Sequence, residues 1–332
     1  MDLILPLLGG LLLLAAGGEL LVRGAVQIAE RIGVSPLLIG LTLVGFGTST
    51  PELVTSVQAS LAGSPGIAVG NIVGSNIANV LVILGLSALV FPIAVSSNAL
   101  TRDGVLGAAV AAALGAVGLF WTLDRLVGLV FLAGLVAYIL YAWRQEREAV
   151  ADHTAAFDRA QAFEDAHPRG VHGAGAAAPG AGLGGLALSL GFVAAGLVAV
   201  VLGGGLLVDG AIGLARMIGV SETVIGLTIV AVGTSMPELV TSLVAAVRRH
   251  ADVALGNVLG SNIYNVLGIG GATALIAPTA IPESIARYDA GVMLAAALLL
   301  LVLARTGWRI GRREGALLLA AYAVYVWTLW PA

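Results

Sequence analysis

The chain has 332 residues, 59% of them hydrophobic and 11% charged, with a mean hydropathy of +1.02. A soluble domain of this length buries its core with far less apolar sequence, so these values exclude a water-soluble globular protein and specify a polytopic membrane protein. The absence of cysteine excludes disulfides, thiolate metal sites and cysteine nucleophiles, while a net charge of −3 says nothing about partners.

Apolar segments of spanning length lie at 3–24, 34–62, 66–91, 104–122, 126–143, 183–208, 220–247, 252–277, 288–304 and 314–330, which predicts ten transmembrane helices at about 20 residues each. The N-terminal MDLILPLLGG carries no basic n-region and reads as a first transmembrane helix, not a cleaved signal peptide. The fifth and sixth spans are separated by the one long polar stretch, Arg144 to Gly182. Its first part suits a surface helix and its second, GVHGAGAAAPGAG, is Gly/Ala linker. The chain therefore divides into 1–143, a linker at 144–182, and 183–332.

All basic residues are arginine. About twelve of them fall on the side of the long loop, including Arg144, Arg147, Arg248, Arg249, Arg312 and Arg313, against about three opposite, Arg125, Arg216 and Arg287. The positive-inside rule then makes the loop cytoplasmic and both termini external.

One stretch is out of place in an apolar span: GTSTPELVTS, Gly47 to Ser56. A carboxylate at the bilayer centre costs about 2.5–3.5 kcal/mol on insertion scales, so Glu52 implies function. Pro51 cannot donate to the carbonyl of Gly47 and disfavours helical geometry at Thr50, which predicts a helix break there. Broken helices persist at membrane depth where the freed backbone is buried in protein or lines a watery cavity. The break gathers carbonyls, hydroxyls and a carboxylate, all hard oxygen donors suited to a hard cation.

Aligning the chain on itself at an offset of 186 pairs Gly47 with Gly233, Pro51 with Pro237 and Glu52 with Glu238. About 28 of the 51 positions from Ser35 to Gly85 are identical. GTSTPELVTS recurs as GTSMPELVTS at 233–242, and GNIVGSNIANVL at 70–81 recurs as GNVLGSNIYNVL at 256–267. Five spans per half is an odd number, so the second half should enter the membrane inverted. Inverted repeats with interrupted helices mark secondary transporters that bind substrate near the midplane. Ser75 and Asn79, and likewise Ser261 and Asn265, are four apart and share a helix face. Two facing carboxylates repel in low dielectric unless positive charge lies between them, and a divalent cation neutralises the pair.

These four blocks resemble the two alpha repeats of the cation/calcium antiporter superfamily, most closely the sodium/calcium exchangers and their prokaryotic relatives. The resemblance implies a ten-helix fold in which the second, third, seventh and eighth helices enclose the ions while the first and sixth slide across them. By position it implies Glu52 and Glu238 as shared carboxylates of the calcium and sodium sites. Thr48, Ser49, Ser75, Asn79, Thr234, Ser235, Ser261 and Asn265 complete the set, with backbone carbonyls at Gly45 and Ala231. Potassium-dependent relatives carry an aspartate where this chain has Asn265, so the two amides argue against potassium coupling. Proton-coupled calcium exchangers typically show Gly-Asn in place of Gly-Thr-Ser, so Gly47-Thr48-Ser49 favours sodium over protons. With the family's usual three sodium ions per calcium, each cycle moves one net charge, worth about 2.3 kcal/mol per 100 mV, and an inside-negative potential drives calcium out.

The expected function is sodium-driven calcium antiport in a prokaryotic plasma membrane, with proton/calcium antiport as the alternative. The implied partners are calcium and sodium ions and the lipid bilayer. No cofactor, nucleic acid or obligate protein partner is expected. An intramembrane lipid pyrophosphate phosphatase is disfavoured, because phosphoryl chemistry needs cations on the phosphate and neither repeated block contains Arg or His. Glu19 and Asp209 are not duplicated and read as interfacial or pathway residues, with Asp209 opposite Arg23. Asp103 and Asp289 recur at span starts and read as helix N-terminal stabilisers. His153, His167 and His172 lack tight ligand spacing and read as solvated linker.

Overall fold

The computed structural model describes residues 4–32, 45–95, 100–148, 157–159, 161, 183–247 and 251–330. The elements are α1 (Ile4–Arg31), α2 (Gly45–Thr48), α3 (Thr50–Leu61), α4 (Pro65–Val90), β1 (Ile93–Ala94), α5 (Arg102–Phe120) and α6 (Arg125–Glu148). The second half supplies α7 (Leu183–Ile218), α8 (Glu222–Thr234), α9 (Met236–Val247), α10 (251–276), α11 (Ile285–Arg305), β2 (Arg309–Ile310) and α12 (Arg312–Leu329). Among the described residues six helices, α1, α4, α5, α6, α7 and α11, are individually long and apolar enough to cross a membrane. The pair α8 and α9, bent by 49° at its break, makes a seventh if read as one span. Residues 34–44 of the expected second span lie outside the described residues. The tenth-span helix α12 is shortened as an apolar unit by Arg312, Arg313 and Glu314 at its start.

Burial separates lipid-facing from enclosed helices. Along its spanning window α4 is 83% buried, against 17% for α7. So α4 lies inside the bundle while α7 turns most of its surface to lipid. Leu5, Phe120 and Trp327, each more than two-thirds exposed, are the apolar coat that hydrocarbon would cover. One core cluster is built around residues 69–88 of α4 and 255–274 of α10 with α5, α6, α11 and α12. A smaller one joins α1 and α7 to Ile67 and Ala68.

Small residues set the helix spacing, since lipid offers apolar side chains no reason to leave it and close backbone packing drives association. Gly10, Gly17 and Gly24 of α1 meet Gly203, Val200 and Ser189 of α7, so the two helices run antiparallel with their backbones in contact. A Cβ at Gly196 would lie 2.5 Å from the Leu21 nitrogen. The last helix of each half packs on the middle helix of the other: Gly128 of α6 abuts Gly271 of α10, and Gly315 of α12 abuts Gly85 of α4. β1 pairs antiparallel with β2 through Ile93 and Ile310, and the bridge between Leu123 and Thr279 repeats that crossing in the other direction.

The 186-residue repeat extends to local irregularities. π-helical turns occur at Asn79–Leu84 and Tyr264–Gly270, and again at Leu100–Gly104 and Ile285–Asp289. Such turns insert one residue per turn and are frequent at functional sites. Asp103 lies in the first turn of α5 and Asp289 next to the start of the regular helix of α11, as expected, but each also has a partner that the sequence did not indicate. Both are buried, and they accept from the phenols of Tyr138 at 3.4 Å and Tyr325 at 2.9 Å.

Candidate ion-binding site

Each broken helix bends one residue earlier than proline sterics alone predict. Ser49 (φ −89°, ψ 10°) separates α2 from α3, and Ser235 (φ −82°, ψ 10°) separates α8 from α9. Pro51 then falls in the first turn of α3, where a missing N–H is no loss. The first turns of α3 and α9 carry Glu52 and Glu238, so the helix N-termini lie at the carboxylates. Both glutamates are 1% exposed.

The sequence-predicted donors come together across the halves. Ser235 donates to Glu52 Oε1 at 3.0 Å and Ser49 to Asn265 Oδ1 at 3.4 Å. Ser75 donates to the Ala231 carbonyl at 3.3 Å, the backbone position expected to serve the ions. Asn79 donates to Asn262 Oδ1 at 2.9 Å. Thr48, Thr234 and Ser261 are buried in the same region, Thr234 bonding Asn71 Oδ1 at 2.9 Å. Gly45 opens α2, three residues before Thr48. Glycine and alanine near the breaks admit these contacts: a Cβ at Gly74 would lie 2.5 Å from the Leu227 carbonyl oxygen.

Four oxygens of this set are buried without a hydrogen-bond partner among the described residues: Glu52 Oε2, Glu238 Oε2, Asn79 Oδ1 and Ser261 Oγ. Buried polar groups are nearly always paired, and an unpaired one costs about 1–3 kcal/mol, more if charged. Two oxygens from each half therefore form a partly empty cage of ligands, two of the four being carboxylate. No cluster of three or more acidic, His or Cys residues occurs among the described residues, so hydroxyls and amides must supply the remaining ligands.

Several supporting residues escaped sequence reasoning. Asn71 donates to the Glu52 carbonyl at 3.1 Å and to Ser56 at 2.9 Å. Its counterpart Asn257 donates to the Glu238 carbonyl at 3.2 Å, Thr241 at 2.9 Å and Ser242 at 2.7 Å. These amides tie each broken helix to the neighbouring α4 or α10. Their recurrence at the 186 offset was the available signal. Arg159, from the loop, had no such signal. Its Nη2 donates to Thr48 at 2.7 Å, to Ser49, and to Glu238 Oε1 at 3.3 Å, and its guanidinium carbon lies 4.8 Å from the Tyr264 ring centroid. The centre thus holds one cation that lies outside both repeated blocks.

Glu19, read as a pathway residue, lines a cavity of about 200 Å³ with Gly18, Val22, Gly47, Thr48, Pro51, Met236 and Pro237. The cavity connects α1 to both helix breaks. Glu19 pairs with Arg23, one turn further along α1. The linker histidines lie outside the described residues.

Apolar helices enclosing a polar centre shared between two repeats define a helical membrane protein of the transporter class. The chain belongs to the sodium/calcium exchanger protein family, whose model matches residues 3–144 and 188–330. It is 36% identical to the putative antiporter CaxA of Alkalimonas amylolytica over 97% of both chains, and 35% identical to the sodium/calcium exchanger MaX1 of Methanosarcina acetivorans, again over 97% of both. Its fold matches the solved sodium-calcium exchanger NCX_Mj soaked with sodium and calcium, with a TM-score of 0.62, 31% identity, and 100% and 99% of the two chains covered. Family and fold support cation/calcium antiport, and these relatives are transporters, not enzymes.

Proposed function

We propose that the chain exchanges calcium for sodium by alternating access, with Glu52, Glu238, Thr48, Ser49, Ser75, Asn79, Thr234, Ser235, Ser261 and Asn265 as side-chain ligands and the carbonyls of Gly45 and Ala231 completing the sites. The observation that carries this is the set of unpaired buried oxygens on Glu52, Glu238, Asn79 and Ser261. A dehydrated cation supplies the missing partner, and a divalent one cancels both carboxylate charges.

The ten spans form two inverted five-helix repeats, 1–143 and 183–332, joined by the cytoplasmic loop, with both termini outside. The antiparallel packing of α1 on α7 and the reciprocal packing of α6 on α10 and α12 on α4 support that inversion. Close backbone contact without interlocking large side chains suits α1 and α7 to slide as one unit past the breaks. Gly47 meets Val22 and Gly233 meets Leu11 of α1, so such a slide would uncover the site on one side and cover it on the other. An inside-negative plasma membrane potential would make the cycle export calcium.

The test is calcium uptake into sodium-loaded proteoliposomes, with Glu52→Gln as the site control. Uptake independent of the sodium gradient, or driven equally by a pH gradient without sodium, replaces sodium coupling with proton coupling. Uptake unaffected by Glu52→Gln removes the site.

A further inference from the structure

The 186-residue offset gives each contact around one broken helix a counterpart around the other, and on the outer side of the breaks the counterparts differ. Gly204 of α7 lies tight on α3: a Cβ there would come within 2.7 Å of Val54 Cγ1 and 3.3 Å of the Gln58 amide. The repeat mate of Gly204 is Gly18 of α1, and that of Val54 is Val240 of α9. Among the described residues, a Cβ at Gly18 would meet the Gly47 carbonyl oxygen at 3.6 Å and Pro51 Cδ at 3.9 Å, and nothing of Val240 within 4 Å. The cavity of about 200 Å³ separates Gly18 from Val240 instead. So α7 is closed on α3, while α1 stands off α9.

Two side chains that break the repeat accompany this difference. Gln58, whose mate is Val244, reaches from α3 to α7 and donates from Nε2 to the Val201 carbonyl at 2.8 Å. Gly205 leaves it room, since a Cβ there would lie 3.3 Å from Gln58 Oε1. The mate of Gly205 is Glu19, which lines the open cavity and pairs with Arg23. Closing α1 onto α9 would press that charged pair against Val240, whereas closing α7 onto α3 gives an amide its carbonyl. Inside a membrane an amide needs a protein partner and a charge needs water, so both departures from the repeat favour the same state.

We propose that Gln58 is the latch of the closed side: its bond to the Val201 carbonyl holds α7 on α3 and must break before that side opens. Gln58 is thus a positioning residue that sets the ratio of the two access states, not an ion ligand. This rests on the alternating-access reading above. One amide-to-carbonyl bond between membrane helices shifts a two-state ratio by about three- to tenfold.

Because the chain lacks cysteine, Val54→Cys and Val240→Cys report separately on the two sides. In the detergent-purified protein, a positively charged methanethiosulfonate should modify Val240→Cys faster than Val54→Cys. Gln58→Met keeps the length of the side chain and loses the donor. Combined with each reporter, it should raise the ratio of the Val54→Cys rate to the Val240→Cys rate about three- to tenfold, and Gln58→Ala at least as much. An unchanged ratio in Gln58→Met, or both rates rising together as in a loosened bundle, overturns the latch. In sealed vesicles the reagent should reach the two cysteines from opposite faces of the membrane. Modification of both from the same face discards alternating access itself, whatever Gln58 does. Opposite faces with an unmoved ratio retain alternating access and discard the latch.

Discussion

Replacing Glu238 by Gln removes one of the two carboxylate charges while keeping the side chain's size, and its effect on calcium binding can be anticipated from burial. Glu238 is 1% exposed, its Oε2 has no partner among the described residues, and its Oε1 accepts from Arg159 at 3.3 Å. Deleting one member of a buried charge pair costs about 3–5 kcal/mol, since the remaining charge is left unmatched in low dielectric. At about 1.4 kcal/mol per decade, calcium affinity should fall about a hundredfold or more. The variant also removes an acceptor of Arg159, so the comparison is made in the Arg159→Gln background, where the chain supplies no cation at that point. Calorimetric titration of calcium into the detergent-purified single and double variants reads the difference directly. Equal affinity with and without Glu238 would refute the assignment of that carboxylate to the cargo.

Other residues give independent readouts. Asn257→Ala removes donations to the Glu238 carbonyl, Thr241 and Ser242, and should lower thermal stability by about 1–3 kcal/mol while weakening calcium binding far less than Glu238→Gln. Equal losses of binding would make it a ligand and not a support. Gly196→Leu forces side-chain volume where even a Cβ would lie 2.5 Å from the Leu21 nitrogen. Transport should slow several-fold with little change in equilibrium calcium binding, and normal turnover would refute the sliding of α1 with α7. In the loop between α5 and α6, the Val127 N–H and then the Trp121 indole N–H hold the Asp124 carboxyl below its ordinary range. A lowered folded value stabilises the fold above the unfolded value, about 3.9, and that stabilisation is lost as pH falls through the folded value. The melting-temperature gap between the parent chain and Asp124→Ala should therefore be constant from pH 8 to 5 and close below about 4. A gap independent of pH would contradict it.

The parts of the site that were legible in the sequence are those written twice. Glu52 and Glu238, both prolines and both Ser/Asn pairs stand out because polar residues in an apolar span are costly and these recur at one offset. The bend at Ser49 and Ser235 is displaced from Thr50 and Met236 because a helix can begin before a proline as easily as at it. Asn71 and Asn257 were present in the repeated blocks, but their role in tying one helix to the next depends on how α4 lies against α3, which spacing within one segment does not encode. Asp103 and Asp289 pair with tyrosines some 35 residues away, beyond any local pattern. Arg159 is written once, in a polar loop where arginine is unremarked, and only the folded chain brings it to Glu238. The π-turns at Asn79 and Tyr264 likewise leave no periodic trace, since one extra residue in a turn merely shifts phase.

The central claim is that the two repeats share one cation site whose cargo is exchanged against sodium. Calcium uptake into proteoliposomes under separate sodium, potassium and proton gradients tests it most directly. An outward sodium gradient should drive uptake that neither potassium nor protons reproduce and that Glu52→Gln and Glu238→Gln each abolish. Uptake that ignores the sodium gradient, or survives both substitutions, would contradict the claim.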